Sequence, residues 1–490
     1  MSVVRHTVYN VTGSAVPIAV ALLTTPIYLH VVGLERYGVL SICWVLLGYF
    51  NLFDFGLGRA TSQRLATLAA ADPAERSEVF WTSMSLSGLF SIAALAIFIP
   101  ASSWGLGLLG FDTKAVAAEV PGALPWLVAA VPLGLFNSVF LGALEGRRSF
   151  LAQNLAFSLS TALTSVLPLI AALVWGPELQ LLLAASFLGR LIGVSCLFLA
   201  CRKAVPALMP IRPSREQAQR LLGYGRWTMI SNTIGPILVM WDRFAIGAMI
   251  GAAAVAIYTV PASLVSQLLV IPGALASALF PRLAAAEHEE VGSLSEESLE
   301  LLAFLVTPMA LLGTALAGPF LVLWLGPRTG MASAPVAALF LFGLWANSLA
   351  RIPSARLQAR GRPDLVALLH LSELLPYVAI LYFCLKSWGV AGAAFAWSLR
   401  STADALALYL LSRAPRRSLA PLLLHALLLA AAIAAVLYFP IWSPLKWLVL
   451  ALLSAACAIL LLRRSPARVA LVARQILGRA SALFGRARSA

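Results

Sequence analysis

The sequence predicts an all-α polytopic membrane protein of about 14 transmembrane helices, built largely from two copies of a six-helix unit. Three observations lead to this prediction. Of the 490 residues, 61% are hydrophobic and only 11% are charged, and the mean hydropathy is +0.90. So few polar residues cannot cover the surface of a soluble globular protein of this length. The chain also contains 14 apolar segments long enough to span a bilayer, and part of it recurs after 218 residues.

Each apolar segment is close to the roughly 20 residues that a helix needs to cross the hydrocarbon core. The longest connections between segments are residues 101–122, 201–224 and 281–298, and the last of these is rich in glutamate. A charged stretch of this kind is typical of a solvated face. The approximate bounds of the 14 segments are 11–32, 38–58, 79–100, 123–144, 153–175, 179–200, 225–250, 254–280, 299–325, 332–356, 364–386, 388–412, 419–440 and 443–463.

The repeat aligns residues 33–66 with residues 251–284, which places Gly33 over Gly251 and Arg64 over Arg282. Later in each copy, a central arginine occupies the sixth and the twelfth segment, at Arg190 and Arg400. An even number of spans per copy gives both copies the same orientation, so they should be related by an axis along the membrane normal. A substrate site belongs in the cavity between two such lobes.

The repeat divides the chain into four predicted parts. Residues 1–222 form an N-terminal lobe, 223–412 a C-terminal lobe, 413–463 an additional helix pair and 464–490 a basic cytoplasmic tail. Apolar residues of the tail fall on one helical stripe, which is compatible with an interfacial helix on anionic headgroups. A frayed basic tail explains the same composition almost as well.

The distribution of basic residues predicts the orientation. With the N-terminus in the cytoplasm, 26 of the 35 lysines and arginines fall on the inner side and five on the outer side. Positive residues concentrate in cytoplasmic loops, so we expect both termini to be cytoplasmic. The net charge of +15 is better explained by this bias and by anionic membrane lipids than by nucleic acid.

The remaining four arginines lie inside apolar segments and are the candidate substrate-binding cations. Each would cost about 2.5–3.5 kcal/mol at a helix centre facing lipid, so they must face protein or water. The planar guanidinium suits phosphate oxygens. Internal pairing is the alternative, and Arg400 shares a helix face with Asp404 four residues later. The four candidates are Arg190, Arg243, Arg351 and Arg400.

Acidic and titratable residues near these segments are candidates for ion coupling. His370 and Glu373 lie one turn apart in the eleventh segment and could titrate with a coupling ion, or form a satisfied core contact. Asp54, at the end of the second segment, is better explained as a helix-end contact. The full candidate set is Asp54, Asp242, His370, Glu373 and Asp404. The five cysteines show no metal-ligand spacing, and we expect no catalytic residue, metal or cofactor.

Several stretches together resemble one known family: GLERYG at 33–38, LFDFGLGRATSQRLA at 52–66, WDRFAIGAMIG at 241–251 and the Gly-Arg turns at 146 and 361. They are similar to the polysaccharide-transporter branch of the multidrug, oligosaccharidyl-lipid and polysaccharide exporter superfamily, over roughly residues 5–412. That branch contains flippases for the lipid-linked oligosaccharides of O-antigen, capsule and exopolysaccharide. The resemblance implies two six-helix lobes forming a V around a central cavity, with two further helices.

The resemblance also implies outward movement of an undecaprenyl-diphosphate-linked glycan across the bacterial inner membrane, commonly coupled to an H+ or Na+ gradient. Other polysaccharide-assembly proteins are then expected partners. A drug or cation exporter of the same fold and a lipid II flippase are the alternatives. A membrane glycosyltransferase or polymerase is disfavoured, because the loop at 101–122 carries only three charges. A further alternative function is that of a scaffold protein without transport activity.

The charge asymmetry gives a direct test of orientation. A reporter that is active only outside the cytoplasm should give no signal when fused after Ala490, because the tail is predicted to be cytoplasmic. Fusion after Lys446, on the predicted outer side, should give a strong signal and serves as the control. A strong signal from the Ala490 fusion would refute the predicted topology.

Overall fold

The computed structural model describes residues 2–49, 54, 56–68, 73–205, 212–222, 241–276, 288–412 and 419–464, and these ranges contain helices and turns but no strand. Shorter helical segments occupy 215–222, 241–249 (α8) and 270–276 (α10). The other helices are α1 (Ser2–Val31), α2 (Leu34–Tyr49), α3 (Leu57–Thr67), α4 (Pro73–Gly107), α5 (Lys114–Gly146), α6 (Phe150–Val174), α7 (Leu179–Ala204), α9 (Ala252–Gln267), α11 (His288–Leu325), α12 (Pro327–Ala359), α13 (Pro363–Leu411), α14 (Leu419–Tyr438) and α15 (Pro444–Arg464).

Ten helical stretches within the described ranges are long and apolar enough to cross a membrane. This confirms the predicted all-α polytopic fold, while the total of 14 spans stays a prediction. At about 1.5 Å per residue, the 49 residues of α13 would far exceed the roughly 30 Å of a bilayer core as one straight helix. Gly389, with φ of 57°, breaks it into two helices, close to the predicted boundary at 386–388.

Several predicted features lie outside the described residues. They are most of the tail at 464–490, much of the seventh segment at 225–250, the connection at 413–418 and the first part of the acidic connection at 281–298. The predicted boundary between the lobes, at 222/223, lies at the edge of such a range.

The predicted outer connection at 101–122 is largely helical, which corrects the sequence-based bounds. Helix α4 continues to Gly107 and α5 begins at Lys114, so that only a short turn separates them. Pro100 and Pro121 lie inside these helices. Proline is tolerated in membrane helices because neighbouring groups satisfy the freed backbone atoms.

The repeat is visible in the backbone around Gly33 and Gly251. Both glycines have positive φ, 86° and 129°, and each immediately precedes a 16-residue helix, α2 or α9. The 218-residue shift maps both ends of α2 onto both ends of α9. A left-handed backbone at these turns favours glycine, because a Cβ would clash with the following carbonyl.

The chain forms two compact units. Unit 1 contains Met1–Val260 and Leu385–Ala393, and unit 2 contains Pro261–Cys384 and Ala394–Ala490. The predicted division into lobes and an extra helix pair stays a prediction.

In unit 1, the charges of the GLERYG stretch join three helix starts. Arg36 pairs with Glu119 of α5, and its shortest bonds run from Nε to Oε2 at 2.9 Å and from Nη2 to Oε1 at 2.6 Å. Glu119 also accepts a bond from the backbone N–H of Leu179 at the start of α7 (3.0 Å). Glu35 accepts bonds from the backbone N–H groups of Asp112 and Thr113, just before α5. Carboxylates at helix N-termini satisfy free N–H groups and complement the helix dipole.

Helices α6 and α7 approach closely at two glycines of α7, Gly189 and Gly193. A Cβ on Gly189 would meet the backbone of Leu163, and one on Gly193 would meet Ser160. Small residues four apart commonly let membrane helices pack backbone to backbone. Because Arg190 lies between these glycines, the close packing determines its depth and direction.

In unit 2, α11, α12 and the second half of α13 pack through polar anchors as well as apolar contacts. Trp345 of α12 donates its Nε1–H to Thr307 of α11 (2.9 Å), and the hydroxyl of Ser398 donates to the carbonyl of Leu339 (2.6 Å). Gly343 leaves room for the ring of Trp397. These contacts hold the segment that carries Arg400.

The substitution Gly189→Ala should destabilise the protein, because its methyl group has no space against the backbone of Leu163. Overpacking of this kind costs about 1–3 kcal/mol. We expect a lower thermal unfolding midpoint in detergent and reduced membrane abundance. Gly88→Ala in α4 is the matched control, since no atom lies within 4 Å of its added methyl group. Equal midpoints for the two variants would contradict the proposed packing.

Candidate functional site

Arg190 lies in the middle of α7, partly buried inside unit 1. Its Nε is buried without a hydrogen-bond partner, and no carboxylate pairs with it in the described part of the chain. One turn earlier, Ser186 is fully buried and accepts a bond from the indole N–H of Trp44 (3.2 Å). This bond and the glycine contacts hold α7, so the arginine is fixed in place without being neutralised.

Arg351 occupies a similar environment in unit 2. It lies in the C-terminal part of α12, partly buried, and its Nε also has no hydrogen-bond partner. Gly273 of α10 packs beside it, and a Cβ there would lie 3.4 Å from Nη1. The guanidinium therefore lies beside α10 at a position, Gly273, that has no side chain.

Asp242 and Arg243 of α8 are both buried in unit 1. Tyr258 of α9 donates its hydroxyl to Oδ2 of Asp242 at 2.8 Å. This contact joins α8 to α9 across the turn at Gly251. Asp242 therefore has a structural partner, which its position in the sequence does not reveal.

A cluster of charged side chains joins the two halves of α13 within unit 2. Nη1 of Arg400 lies 3.5 Å from Oε2 of Glu373, and Nε2 of His370 lies 3.4 Å from Oδ1 of Asp404. The guanidinium of Arg400 also lies over the ring of Tyr377, 5.4 Å from its centroid. Along the first half of α13, His370 precedes Glu373, whereas in the second half the partner of His370, Asp404, follows the partner of Glu373, Arg400. This order is expected for antiparallel helices.

This pairing differs from the predicted bridge between Arg400 and Asp404. Within the described residues, Arg400 pairs with Glu373 instead, although Asp404 is one turn away on its own helix. The break at Gly389 brings the opposite half of α13 alongside, and its carboxylate offers a pairing that local spacing does not reveal. Tyr377 is a further member of the cluster that the sequence did not reveal, and it lies one turn after Glu373 on the same helix face.

The two carboxylates of the α13 cluster retain unused acceptor capacity. Both side-chain oxygens of Glu373 and Oδ1 of Asp404 are buried without a hydrogen-bond partner. Both ion-pair distances exceed the usual 2.7–2.9 Å of a charge-assisted hydrogen bond. The cluster can thus accept a proton or a small cation.

Asp54 forms local contacts at the start of α3. It is 7% exposed and accepts bonds from the backbone N–H groups of Gly56 (2.7 Å) and Gly58 (3.2 Å), and from the hydroxyl of Ser138. These contacts satisfy free N–H groups at a helix start and join it to α5. The α13 cluster is therefore the better candidate for ion coupling.

Arg356 is a buried cation that the sequence-based topology counts among the basic residues of the inner side. It lies near the end of α12, only 5% exposed, and its Nε and Nη1 have no hydrogen-bond partner. An arginine one turn from a helix end resembles a surface residue in sequence, so burial was not predictable. Among the described residues, no group of three or more histidine, cysteine or acidic side chains could hold a metal ion.

Comparison with known proteins shows which family this chain belongs to. Residues 3–287 match the family described as polysaccharide biosynthesis protein. A Shigella flexneri protein named "Putative O-antigen transporter" is 30% identical over 409 residues, which cover 83% of this chain and 97% of that protein. The Bacillus subtilis (strain 168) protein named "Uncharacterized membrane protein EpsK" is 24% identical over 337 residues, covering 65% of this chain and 64% of that protein.

Solved structures show the same fold at low identity. An inward-facing multidrug resistance MATE family transporter of the MOP superfamily superposes with a TM-score of 0.69 and 17% identity, covering 83% of this chain and 98% of its own. The lipid II flippase MurJ, in an inward closed conformation, gives a TM-score of 0.70 and 12% identity, covering 94% and 99%. The resemblance drawn from the motifs is thereby confirmed, and the chain belongs to the polysaccharide biosynthesis protein family, with the fold of the MOP superfamily transporters.

Proposed function

We propose that this chain is a flippase, a carrier without enzymatic activity. Its substrate is an undecaprenyl-diphosphate-linked oligosaccharide, the repeat unit of a cell-surface polysaccharide. It moves this substrate from the inner to the outer leaflet of the bacterial cytoplasmic membrane by alternating access. Membership of the polysaccharide biosynthesis family and the name of the Shigella flexneri relative support this substrate class.

The observation that carries the proposal is the environment of Arg190. Its guanidinium is partly withdrawn from water, its Nε has no partner, and packing holds it in place. A buried cation without a carboxylate is costly unless water or a ligand compensates it. A diphosphate compensates it well, because phosphate oxygens match the planar fork of arginine. Arg190 is therefore the proposed headgroup contact in unit 1.

Arg351 is the proposed counterpart in unit 2, because its Nε also lacks a partner. Arg400 is a weaker candidate than its place in the repeat predicts, since Glu373 already pairs with it. That Arg190 and Arg400, the central arginines of the two copies, face one substrate cavity stays a prediction. Arg243 is buried beside Asp242 and is assigned a structural role.

The α13 cluster is proposed to couple transport to an H+ or Na+ gradient. Binding of a cation between Glu373 and Asp404 would weaken their hold on Arg400 and His370 and so loosen the contact between the halves of α13. The membrane potential can contribute as well. Moving negative charge outward from a negative interior is favoured by about 2.3 kcal/mol per charge per 100 mV.

The substitution Arg190→Gln should impair transport while leaving membrane abundance nearly normal, because no described carboxylate loses a partner. In a host lacking the gene, wild-type protein should clear the lipid-linked glycan that accumulates on the inner leaflet, and the Gln variant should not. Arg190→Lys should restore transport only partly, since an ammonium group lacks the bidentate fork. The measurement is surface polysaccharide and inner-leaflet glycan at matched expression.

Arg220→Gln is the matched control, because this arginine is exposed and, among the described residues, forms its one ion pair with Glu216 one turn away. It should leave transport unchanged. Full transport by Arg190→Gln would show that the headgroup is held elsewhere. A lack of any accumulated lipid-linked glycan in the deletion host would instead refute the substrate class.

The substitution Arg400→Gln should lower stability, because it leaves Glu373 as an unpaired buried charge. Breaking a buried pair from one side costs up to about 3–5 kcal/mol. The double variant Arg400→Gln/Glu373→Gln removes both charges and should recover most of the abundance. If the cluster couples ions, transport by the double variant should be low and independent of the ion gradient at normal abundance. Wild-type gradient dependence in the double variant would assign the pair a purely structural role.

A further inference from the structure

A lipid-sized groove lies between α6 and α7 in unit 1, apart from the candidate sites. Its volume is about 510 Å³. The wall is mostly apolar, with leucines from both helices and alanines at its floor, and it includes Ser149 and a single charged residue, Lys203. Leu155, Leu159 and Leu199 on its rim are 62%, 44% and 55% exposed. We call this feature the α6–α7 groove.

The charged end of the groove is strongly basic. Lys203 and Arg202 are exposed in the last turn of α7, and Arg147 and Arg148 lie in the turn before α6. Nε of Arg147 donates to the carbonyl of Ala204 at 3.3 Å, which keeps that turn beside the end of α7. Within 145–159 and 196–205, Glu145 is the one acidic residue against these four cations. An occupant must therefore carry negative charge at this end.

The length of the groove matches one leaflet of a bilayer. Along α6 it extends from Ser149 to Leu159, which is about 15 Å at 1.5 Å per residue. The hydrocarbon core is about 30 Å thick, so one leaflet contributes about half of that. A groove of this length with its cation at the mouth fits an acyl chain in the groove and a phosphate at Lys203.

We propose that the α6–α7 groove binds one anionic glycerophospholipid, with its phosphate at Lys203 and an acyl chain between α6 and α7. Lys203 gives the groove a preference for a negatively charged headgroup. The alanines and leucines do not discriminate between acyl chains. The groove ends within one leaflet, which favours an ordinary acyl chain over the much longer polyprenyl chain of the proposed substrate. The site would hold the α6–α7 pair that positions Arg190, but it does not depend on the transported molecule.

Native mass spectrometry of the full-length protein, reconstituted with equal amounts of phosphatidylglycerol and phosphatidylcholine, tests the proposal. The wild-type protein should retain one phosphatidylglycerol in preference to phosphatidylcholine. Lys203→Gln should lower that preference about fivefold, which corresponds to about 1 kcal/mol for one cation near an anionic headgroup. Ala152→Phe should lower retention of both lipids, because the ring occupies the groove.

Two matched controls separate the site from general effects. Lys386→Gln removes one exposed lysine elsewhere, and Ala430→Phe adds the same ring on an exposed face of α14. Neither should change lipid retention. Phosphatidylglycerol with a photoreactive group on its acyl chain should crosslink to Leu199 or Cys196 in the wild-type protein, a result that needs no variant to fold.

Three outcomes would overturn the proposal. One is equal retention of phosphatidylglycerol and phosphatidylcholine by the wild-type protein. Another is the same loss of preference in Lys386→Gln as in Lys203→Gln, which would indicate a general charge effect. The third is displacement of phosphatidylglycerol by an equimolar polyprenyl diphosphate, which would make the groove a substrate site.

Discussion

The cost of withdrawing charge from water is the constraint on which most of this structure depends. In a bilayer core, each polar group needs a partner within the protein or access to water. The charged residues within the described ranges fall into three groups in this respect. Glu35, Glu119 and Asp54 satisfy helix starts, the α13 cluster pairs across two helices, and Arg190 and Arg351 retain donors without a partner. The unpartnered donors of the third group are those to which we assign an anionic ligand.

Arginines at equivalent positions of the repeat thus differ in whether a carboxylate pairs with them. Arg190 and Arg400 occupy corresponding segments, yet only Arg400 meets a carboxylate, at Glu373. The difference arises because the chain reverses at Gly389, which aligns acidic residues with Arg400, whereas α7 packs on α6 through glycines. In unit 1 the central arginine of the repeat therefore keeps an unpartnered donor, and in unit 2 it belongs to a cluster of ion pairs.

Glycine controls the geometry at several of these places. At Gly33, Gly251 and Gly389 it allows a left-handed backbone, so that helices begin or reverse at defined residues. At Gly189 and Gly193 its missing side chain lets α6 and α7 approach closely. The depth of Arg190 and the shape of the α6–α7 groove both follow from that contact. The packing of this one helix pair therefore bears on both proposed sites, the headgroup contact at Arg190 and the lipid site in the groove.

The sequence by itself determined the all-α membrane fold, the repeat and the family, because hydropathy and local motifs are properties of contiguous segments. It also identified the charged residues of both candidate sites, though not Tyr377, since a charge inside an apolar segment is conspicuous. Only the tertiary structure decided which polar side chains contact each other. These pairs are Arg400 with Glu373, His370 with Asp404, and Tyr258 with Asp242. It also showed that Arg356 is buried and that 101–122 is mostly helical. These facts depend on contacts between residues distant along the chain or on neighbouring helices, and helical spacing along one segment carries no information about either.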